Sequence, residues 1–126
     1  MYLDTDILYA LLRAKDRLAP IALEVTGRKD KQYTSTITLV ELEILFKREI
    51  SDELSQRVTE LVRTRFPDLS VEEVNLRTIE QSLELRRKYN LGIFDSIHAA
   101  VALQNDRKIA STDTAFDRIP GLKRIT

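Results

Sequence analysis

Four acidic residues in this sequence stand where their side chains could act together. They are Asp4, Glu41, Asp95 and Asp113. Each lies at the end of a predicted strand or near the start of a predicted helix. Because parallel strands bring such positions to one edge of a sheet, we treat the four carboxylates as one candidate site.

The chemistry open to such a cluster is that of a hard divalent cation. Carboxylates held a few ångströms apart raise one another's pKa unless a positive charge joins them. Mg²⁺ prefers carboxylate oxygens and keeps several waters. One ion can make a nucleophile from bound water and a second can stabilise the leaving oxygen, so the cluster suits phosphodiester hydrolysis.

Each acid also has an ordinary structural interpretation. Thr38 and Glu41 have the spacing of a capping box, in which the glutamate bonds back to the threonine amide. Asp4, Asp95 and Asp113 have the residue type and position of simple N-caps. The functional hypothesis therefore depends on the four acids as a set.

The elements that position these acids alternate between strand and helix. Apolar spacing predicts strands at MYLD, YTSTIT, SVEEVNL, KIAST and GLKRIT. It predicts helices over residues 5–16, 18–27, 38–50, 52–66, 77–90 and 91–106, and a loop with a helical turn over 113–119. The apolar face of 38–50 is broad enough to predict a largely buried helix. This order predicts a three-layer α/β/α sandwich around a central, mainly parallel sheet.

Length and composition narrow the possibilities further. A chain of 126 residues with 43% hydrophobic and 32% charged residues is typical of one soluble domain, here residues 1–126. No run is long enough to cross a membrane, and no leader pattern is present. The absence of cysteine excludes disulfides and thiol chemistry and favours the cytoplasm. Because the net charge is zero, a polyanion would need local basic patches or bound metal.

Four segments carry a resemblance to a known family. MYLDTDILYALL, TSTITLVELEILFKR, LGIFDSIHAAVALQ and IASTDTAFDRIPGLKRI resemble, in order and context, the acidic motifs of the PIN-domain nucleases, especially VapC-type toxins of prokaryotic toxin–antitoxin pairs. The resemblance implies an Mg²⁺- or Mn²⁺-dependent endoribonuclease acting on RNA. It implies that Asp4, Glu41, Asp95 and Asp113 are the catalytic metal ligands. It also implies a homodimer, and a small antitoxin that blocks the groove.

The first motif departs from the family pattern. The family usually has asparagine where this chain has Asp6, which we interpret as an outer-shell carboxylate. Asp4 and Asp6 are also spaced like the nucleophile and the acid/base of a haloacid-dehalogenase-like phosphatase. That motif normally continues with Thr or Val where this chain has Leu8, and the downstream residues it needs are not evident.

Two further alternatives keep the predicted fold and change the function. One is an RNA-processing PIN nuclease without an antitoxin. The other is a non-catalytic module that binds Mg²⁺ for folding or for docking a partner. Thermal melting with and without Mg²⁺, beside a cleavage assay, would separate the module from a nuclease.

Several neighbouring residues are secondary candidates. His98 lies one helical turn after Asp95 and could be a ligand or a proton shuttle, but on so apolar a helix we favour a packed or hydrogen-bonded residue. Asp117 could hold a metal-bound water, and Ser111 and Thr112 could bond a ligating carboxylate. The basic residues that could contact RNA phosphates are Arg13, Lys47, Arg48, Arg86, Arg87 and Lys88.

Overall fold

The structure, a computed structural model, describes residues 1–13 and 15–126. Its centre is a five-stranded sheet in the order β3-β2-β1-β4-β5, and every pair of neighbouring strands is parallel. The strands are β1 (Tyr2–Leu3), β2 (Tyr33–Ser35), β3 (Ser70–Glu72), β4 (Lys108–Ala110) and β5 (Lys123–Ile125). The first strand of the chain is therefore the middle strand of the sheet.

Helices connect the successive strands. They are α1 (Thr5–Leu12), α2 (Ala19–Thr26), α3 (Thr36–Glu49), α4 (Asp52–Ser55), α5 (Val58–Arg65), α6 (Leu76–Tyr89), α7 (Ile93–Leu103) and a 3₁₀ helix (Thr114–Arg118). None of the helices within the described ranges is both long and apolar enough to span a membrane.

Two hydrophobic cores lie on opposite faces of the sheet. Successive side chains of a strand point to opposite faces, so neighbours in β1 and β4 separate between the cores. Leu3 and Ala110 pack with residues of α1, α2, α3 and α5, whereas Tyr2 and Ile109 pack with residues of α6, α7 and the 3₁₀ helix. The predicted three-layer α/β/α architecture is confirmed.

The helix after β2 differs from its prediction in start and burial. The β-branched run YTSTIT predicted a strand through Thr38, but β2 ends at Ser35 and α3 begins at Thr36. The expectation that this helix is largely buried is wrong, because Val40 and Ile44 are 42% and 46% exposed. A helix that packs on one face of a sheet buries one stripe, and the apolar residues of α3 extend beyond that stripe.

Two other helices also differ in extent from their predictions. The helix predicted over 52–66 is divided into α4 and α5, because Arg57 has a non-helical backbone and the buried Ser55 hydroxyl donates to the carbonyl of Glu43 at 2.7 Å. The helix predicted over 5–16 ends at Leu12. Its extension through residue 14 lies outside the described residues.

Candidate metal centre

An open groove of about 660 Å³ lies at the carboxyl ends of the central strands. Its polar lining combines the four predicted acids with Thr5, Asp6 and Thr112. The rest of its lining consists of Tyr9, Leu18, Leu45, two further acids, Asp16 and Glu49, and three basic residues, Arg13, Lys15 and Arg17. The topology thus brings the four predicted carboxylates, from segments up to 109 residues apart in the sequence, into one concave site.

Asp4 occupies the centre of this groove, directly after β1. Its amide donates to the carbonyl of Ala110 at 3.0 Å, which continues the pairing of β1 with β4. Asp4 Oδ1 accepts from the Thr5 amide at 2.7 Å, and Oδ2 accepts from the Ser111 hydroxyl at 2.6 Å. Asp4 is therefore the N-cap of α1 and also a buried carboxylate fixed from two sides.

Glu41 reaches the same place from α3. Its Oε1 accepts from the Thr5 hydroxyl at 2.7 Å and contacts His98 Nε2. The capping-box interpretation is wrong, because Thr38 lies inside α3 and its hydroxyl bonds to Tyr2. Because Glu41 has no capping role, its carboxylate is available to line the groove.

His98 is a close neighbour of the carboxylates, and its burial and hydrogen bonds agree with its interpretation as a packed or hydrogen-bonded residue. It lies on α7, is fully buried, and its Nε2 is 3.5 Å from Asp4 Oδ1. One ligand atom from each of Asp4, Glu41 and His98 lies within 4.8 Å of the others. The only sequence indication was the one-turn spacing from Asp95, and its contact with Glu41 depends on how α7 packs against α3.

Asp95 and Asp113 form the other side of the centre. Gly92 is the N-cap of α7, so the simple N-cap interpretation of Asp95 is wrong, and its carboxylate lies in the first turn. Asp113 does cap the 3₁₀ helix, since its Oδ1 accepts from the Ala115 amide at 2.9 Å. Its own amide donates to the Ser111 hydroxyl at 3.0 Å, so Ser111 contacts both Asp4 and Asp113.

Asp6 connects the start of α1 to the segment after β4. Its Oδ2 accepts from the Thr112 amide at 2.9 Å and from the Thr112 hydroxyl at 2.6 Å. Its Oδ1 is buried and has no hydrogen-bond partner among the described residues. A buried carboxylate oxygen without a donor is costly, and a cation or its water would satisfy it.

The pKa values in the groove reflect crowded negative charge. Burial, with a contribution from Asp6, raises the pKa of Asp4 to about 6, although His98 opposes this shift. Burial and the Asp113 carboxylate also raise the pKa of Asp95. Burial disfavours ionised Glu41, but hydrogen bonds from His98 and Thr5 outweigh it and lower the pKa.

The pKa of His98 responds to the same charges with the opposite sign. Burial favours the neutral ring, but Tyr2 and the carboxylates of Asp4 and Glu41 outweigh burial and raise the pKa well above its ordinary value. Positive charge is therefore favoured beside these acids. The donor set of carboxylate oxygens, the raised carboxyl pKa values and the unpartnered Asp6 oxygen all fit a hard divalent cation.

Other secondary candidates lie away from this centre. Both oxygens of Asp117 accept from Arg124, at 2.9 and 3.0 Å, and Asp117 is not part of the groove lining. Arg86 and Arg87 line a separate cavity of about 330 Å³. Lys47 pairs with Asp52 at 3.8 Å and Arg48 with Glu49 at 3.3 Å. We leave Asp117 out of the site, and Arg13 is the predicted basic residue that the groove contains.

The thermal stability of the metal-free protein is expected to fall as the pH rises. A group whose pKa is raised by folding stabilises the protein below its unfolded pKa, and this contribution is lost as the pH passes its folded pKa. Asp4, Asp95 and His98 all have this sign. In EDTA we expect the melting temperature to drop by about 5 °C between pH 5.5 and pH 8.

Asp4→Asn is the control for this pH dependence. Its side chain does not titrate, so its melting temperature should change less over the same range. Carboxyl groups with lowered pKa values, such as Glu41, are ionised in both the folded and the unfolded state above pH 5.5. They therefore add nothing to the pH dependence of stability in this range. A wild-type melting temperature that rises toward pH 8 would contradict the charge arrangement described here.

Fold and site together define an α/β protein with an acidic centre at the carboxyl edge of a parallel sheet. The sequence matches the PIN domain family over residues 1–122. This chain belongs to the PIN domain family, which confirms the resemblance of the four motifs. A comparison with curated proteins finds no significant match by sequence.

Solved structures with the same fold come from several bacteria. FitAcB from Neisseria gonorrhoeae is similar with a TM-score of 0.75 and 18% identity, over 99% of this chain and 96% of that one. VapC20 from Mycobacterium tuberculosis, described as a toxin that cleaves the sarcin-ricin loop, has a TM-score of 0.75 and 19% identity, over 90% and 89%. A toxin–antitoxin complex from Klebsiella pneumoniae has a TM-score of 0.70 and 25% identity, over 99% and 95%.

Proposed function

We propose that this protein is a metal-dependent endoribonuclease and the toxin component of a toxin–antitoxin pair. The proposal rests on one observation, the convergence of Asp4, Glu41, Asp95 and Asp113 in one groove of a PIN fold. Similarity to a loop-cleaving toxin supports RNA as the substrate. Similarity to a toxin–antitoxin complex supports a small antitoxin as partner.

The proposed ligands are the four carboxylates, with Asp6 and Thr112 around them. Bound Mg²⁺ or Mn²⁺ would lower the pKa of a coordinated water and neutralise charge on the scissile phosphate. Ser111 and the Thr5 amide orient Asp4, and Ser111 also holds the backbone of Asp113. These bonds fix the carboxylates before a cation arrives, which reduces the cost of ordering them.

The basic residues of the groove lining support contact with an RNA backbone. Arg13, Lys15 and Arg17 line the groove together with Asp16 and Glu49, and Arg13 lies 3.6 Å from Asp16 and 3.5 Å from Glu49. Basic side chains attract phosphates without reading sequence. These three residues are the basic charge that the groove lining offers to a polyanionic substrate. A homodimer and a cytoplasmic location stay predictions from the sequence.

The phosphatase alternative is not favoured by the set of acids in the groove. It would use Asp4 and Asp6 alone, whereas Glu41, Asp95 and Asp113 line the same groove. Membership of the PIN family favours phosphodiester hydrolysis by the four-acid site instead.

Cleavage of a labelled mixed-sequence RNA tests the proposed function. We expect cutting with Mg²⁺ or Mn²⁺, none with EDTA, and products ending in a 5′-phosphate and a 3′-hydroxyl, because water and not the 2′-hydroxyl would be the nucleophile. Products with a 2′,3′-cyclic phosphate would contradict this chemistry. Mg²⁺-dependent stabilisation of antitoxin-free protein, without cleavage of any RNA in the pool, would support the non-catalytic module.

A further inference from the structure

A hydrogen-bonded chain leads from the core of the protein to Glu41. It starts at Tyr2 in the middle strand, whose hydroxyl lies 2.6 Å from His98 Nδ1. His98 Nε2 then contacts Glu41 Oε1. Tyr2 and His98 are both fully buried, whereas Glu41 lines the groove. The chain therefore joins β1, α7 and α3 at the candidate metal centre.

The Tyr2 hydroxyl has as many partners as it can use. Besides His98 it contacts the Ser35 hydroxyl at 2.7 Å and the Thr38 hydroxyl at 3.0 Å. A phenol has one hydrogen to donate and two lone pairs to accept with, so three partners saturate it. The position of the hydroxyl is therefore fixed from β2, α3 and α7 at once.

The contact with Glu41 determines which hydrogen the imidazole presents, because an ionised carboxylate can only accept and the contact therefore requires hydrogen on Nε2. If Tyr2 accepts from Ser35 and Thr38, its hydrogen goes to Nδ1, and the neutral ring carries its own hydrogen on Nε2. If the ring is protonated, both nitrogens carry hydrogen. In either state Nε2–H donates to Glu41, and a nitrogen that carries hydrogen cannot bind a metal.

We propose that Tyr2, acting through His98, positions the Glu41 carboxylate for cation binding. The proposal deepens the proposed function and rests on its metal site. Tyr2 and His98 touch neither the cation nor the RNA in this arrangement, so both are positioning residues. The Thr5 hydroxyl supports the same Glu41 oxygen at 2.7 Å, which leaves the second oxygen of Glu41 available to the groove.

His98 is the only histidine in the sequence, so one imidazole signal set reports on this chain of bonds. Long-range ¹H–¹⁵N correlation spectra of the wild type should show a hydrogen-bearing Nε2 both without metal and at saturating Mg²⁺. The same titration gives the Mg²⁺ affinity without any activity measurement. We expect Tyr2→Phe to weaken that affinity by about tenfold, as loss of an outer-shell partner does.

Tyr33→Phe is the matched control. Tyr33 is a buried tyrosine of the neighbouring strand, and its hydroxyl donates to Asp106 at 2.6 Å, at the opposite edge of the sheet. The Tyr33→Phe variant should bind Mg²⁺ with the same affinity as the wild type. Equal affinities for Tyr2→Phe and Tyr33→Phe would overturn the positioning role alone. If Mg²⁺ changes neither the spectrum of the wild-type protein nor the heat of titration, the metal site and the proposed function are both overturned.

Variants of His98 keep the test decisive if Tyr2→Phe folds poorly. His98→Gln retains an N–H donor for Glu41, whereas His98→Leu removes it. By calorimetric titration with Mg²⁺ we expect His98→Gln to bind within about threefold of the wild type and His98→Leu about tenfold more weakly. Equal affinities for the two variants would overturn the proposal, and so would a wild-type Nε2 that loses its hydrogen on binding Mg²⁺.

Discussion

Asp95→Asn is expected to lower metal-dependent RNA cleavage by at least about 100-fold, the upper end of the cost of losing a partner around a bound metal. The side chain lies in the first turn of α7 and lines the groove with Asp4, Glu41 and Asp113. Asparagine keeps the shape of the side chain but loses the charge that attracts a cation. Single-turnover cleavage of a labelled RNA at saturating Mg²⁺ measures the loss.

The same substitution is expected to leave the metal-free fold as stable as before, or more stable. Burial and the Asp113 carboxylate raise the pKa of Asp95, so folding disfavours its ionised form. Removing the charge relieves that repulsion, and the melting temperature in EDTA at pH 8 should not fall. Opposite effects on activity and stability are typical of a binding site and not of a structural ion pair.

Asp68→Asn is the control for charge loss elsewhere. Asp68 is exposed and lies between α5 and β3, where it lines a cavity away from the acidic groove. Cleavage by this variant should match that of the wild type. Full activity in Asp95→Asn would remove Asp95 from the proposed ligand set, and equal losses in both variants would point to a general effect of charge.

Phe116→Ala is expected to destabilise the protein by about 3–5 kcal/mol, the usual cost of deleting a buried phenylalanine. Phe116 is fully buried in the core with Tyr2, Ile109 and Ile119, although it lies in a 3₁₀ helix of only five residues. A loss of this size is a large part of the roughly 5–15 kcal/mol by which domains are stable. The midpoint of urea unfolding measures it, with an unchanged denaturant slope.

Leu76→Ala provides the comparison for an apolar residue at the surface. Leu76 is 73% exposed, so its truncation should change the free energy of unfolding by no more than about 0.5 kcal/mol. Asp113 caps the helix that Phe116 anchors, so Phe116→Ala should also reduce Mg²⁺ affinity. A cost for Phe116→Ala no greater than that for Leu76→Ala would contradict the described packing of this segment.

The sequence predicted the architecture because the strands and helices carry strong local patterns. Short apolar or β-branched segments such as MYLD and YTSTIT, and the alternation of strand with helix, were sufficient to predict a parallel, three-layer fold. The ends of elements were less predictable, since Thr36 and Thr38 have residue types typical of strands and yet belong to α3. Packing against the sheet outweighs local preference there.

The location of the four acids followed from topology, but their contacts did not. The edge of a parallel sheet was sufficient to bring Asp4, Glu41, Asp95 and Asp113 into one groove. His98 was interpreted as structural, because no local pattern shows that α7 places it against Glu41 of α3. Asp117 was a candidate because of its spacing from Asp113, but Arg124 of β5 takes both of its oxygens.

The position of β1 in the sheet also determines when the acidic centre can exist. Tyr2 lies opposite Tyr33 on one side and Ile109 on the other, so the middle strand pairs with segments that are distant from it in the sequence. Closing such long loops must precede pairing, and folds with many non-local contacts form slowly. Asp4 meets Ser111 only after β1 pairs with β4. Under the proposed function, a chain in which β1 has not yet paired with β4 would lack the assembled acidic centre and would not cleave RNA. An antitoxin that bound the chain at that stage would bind it before the nuclease site had formed.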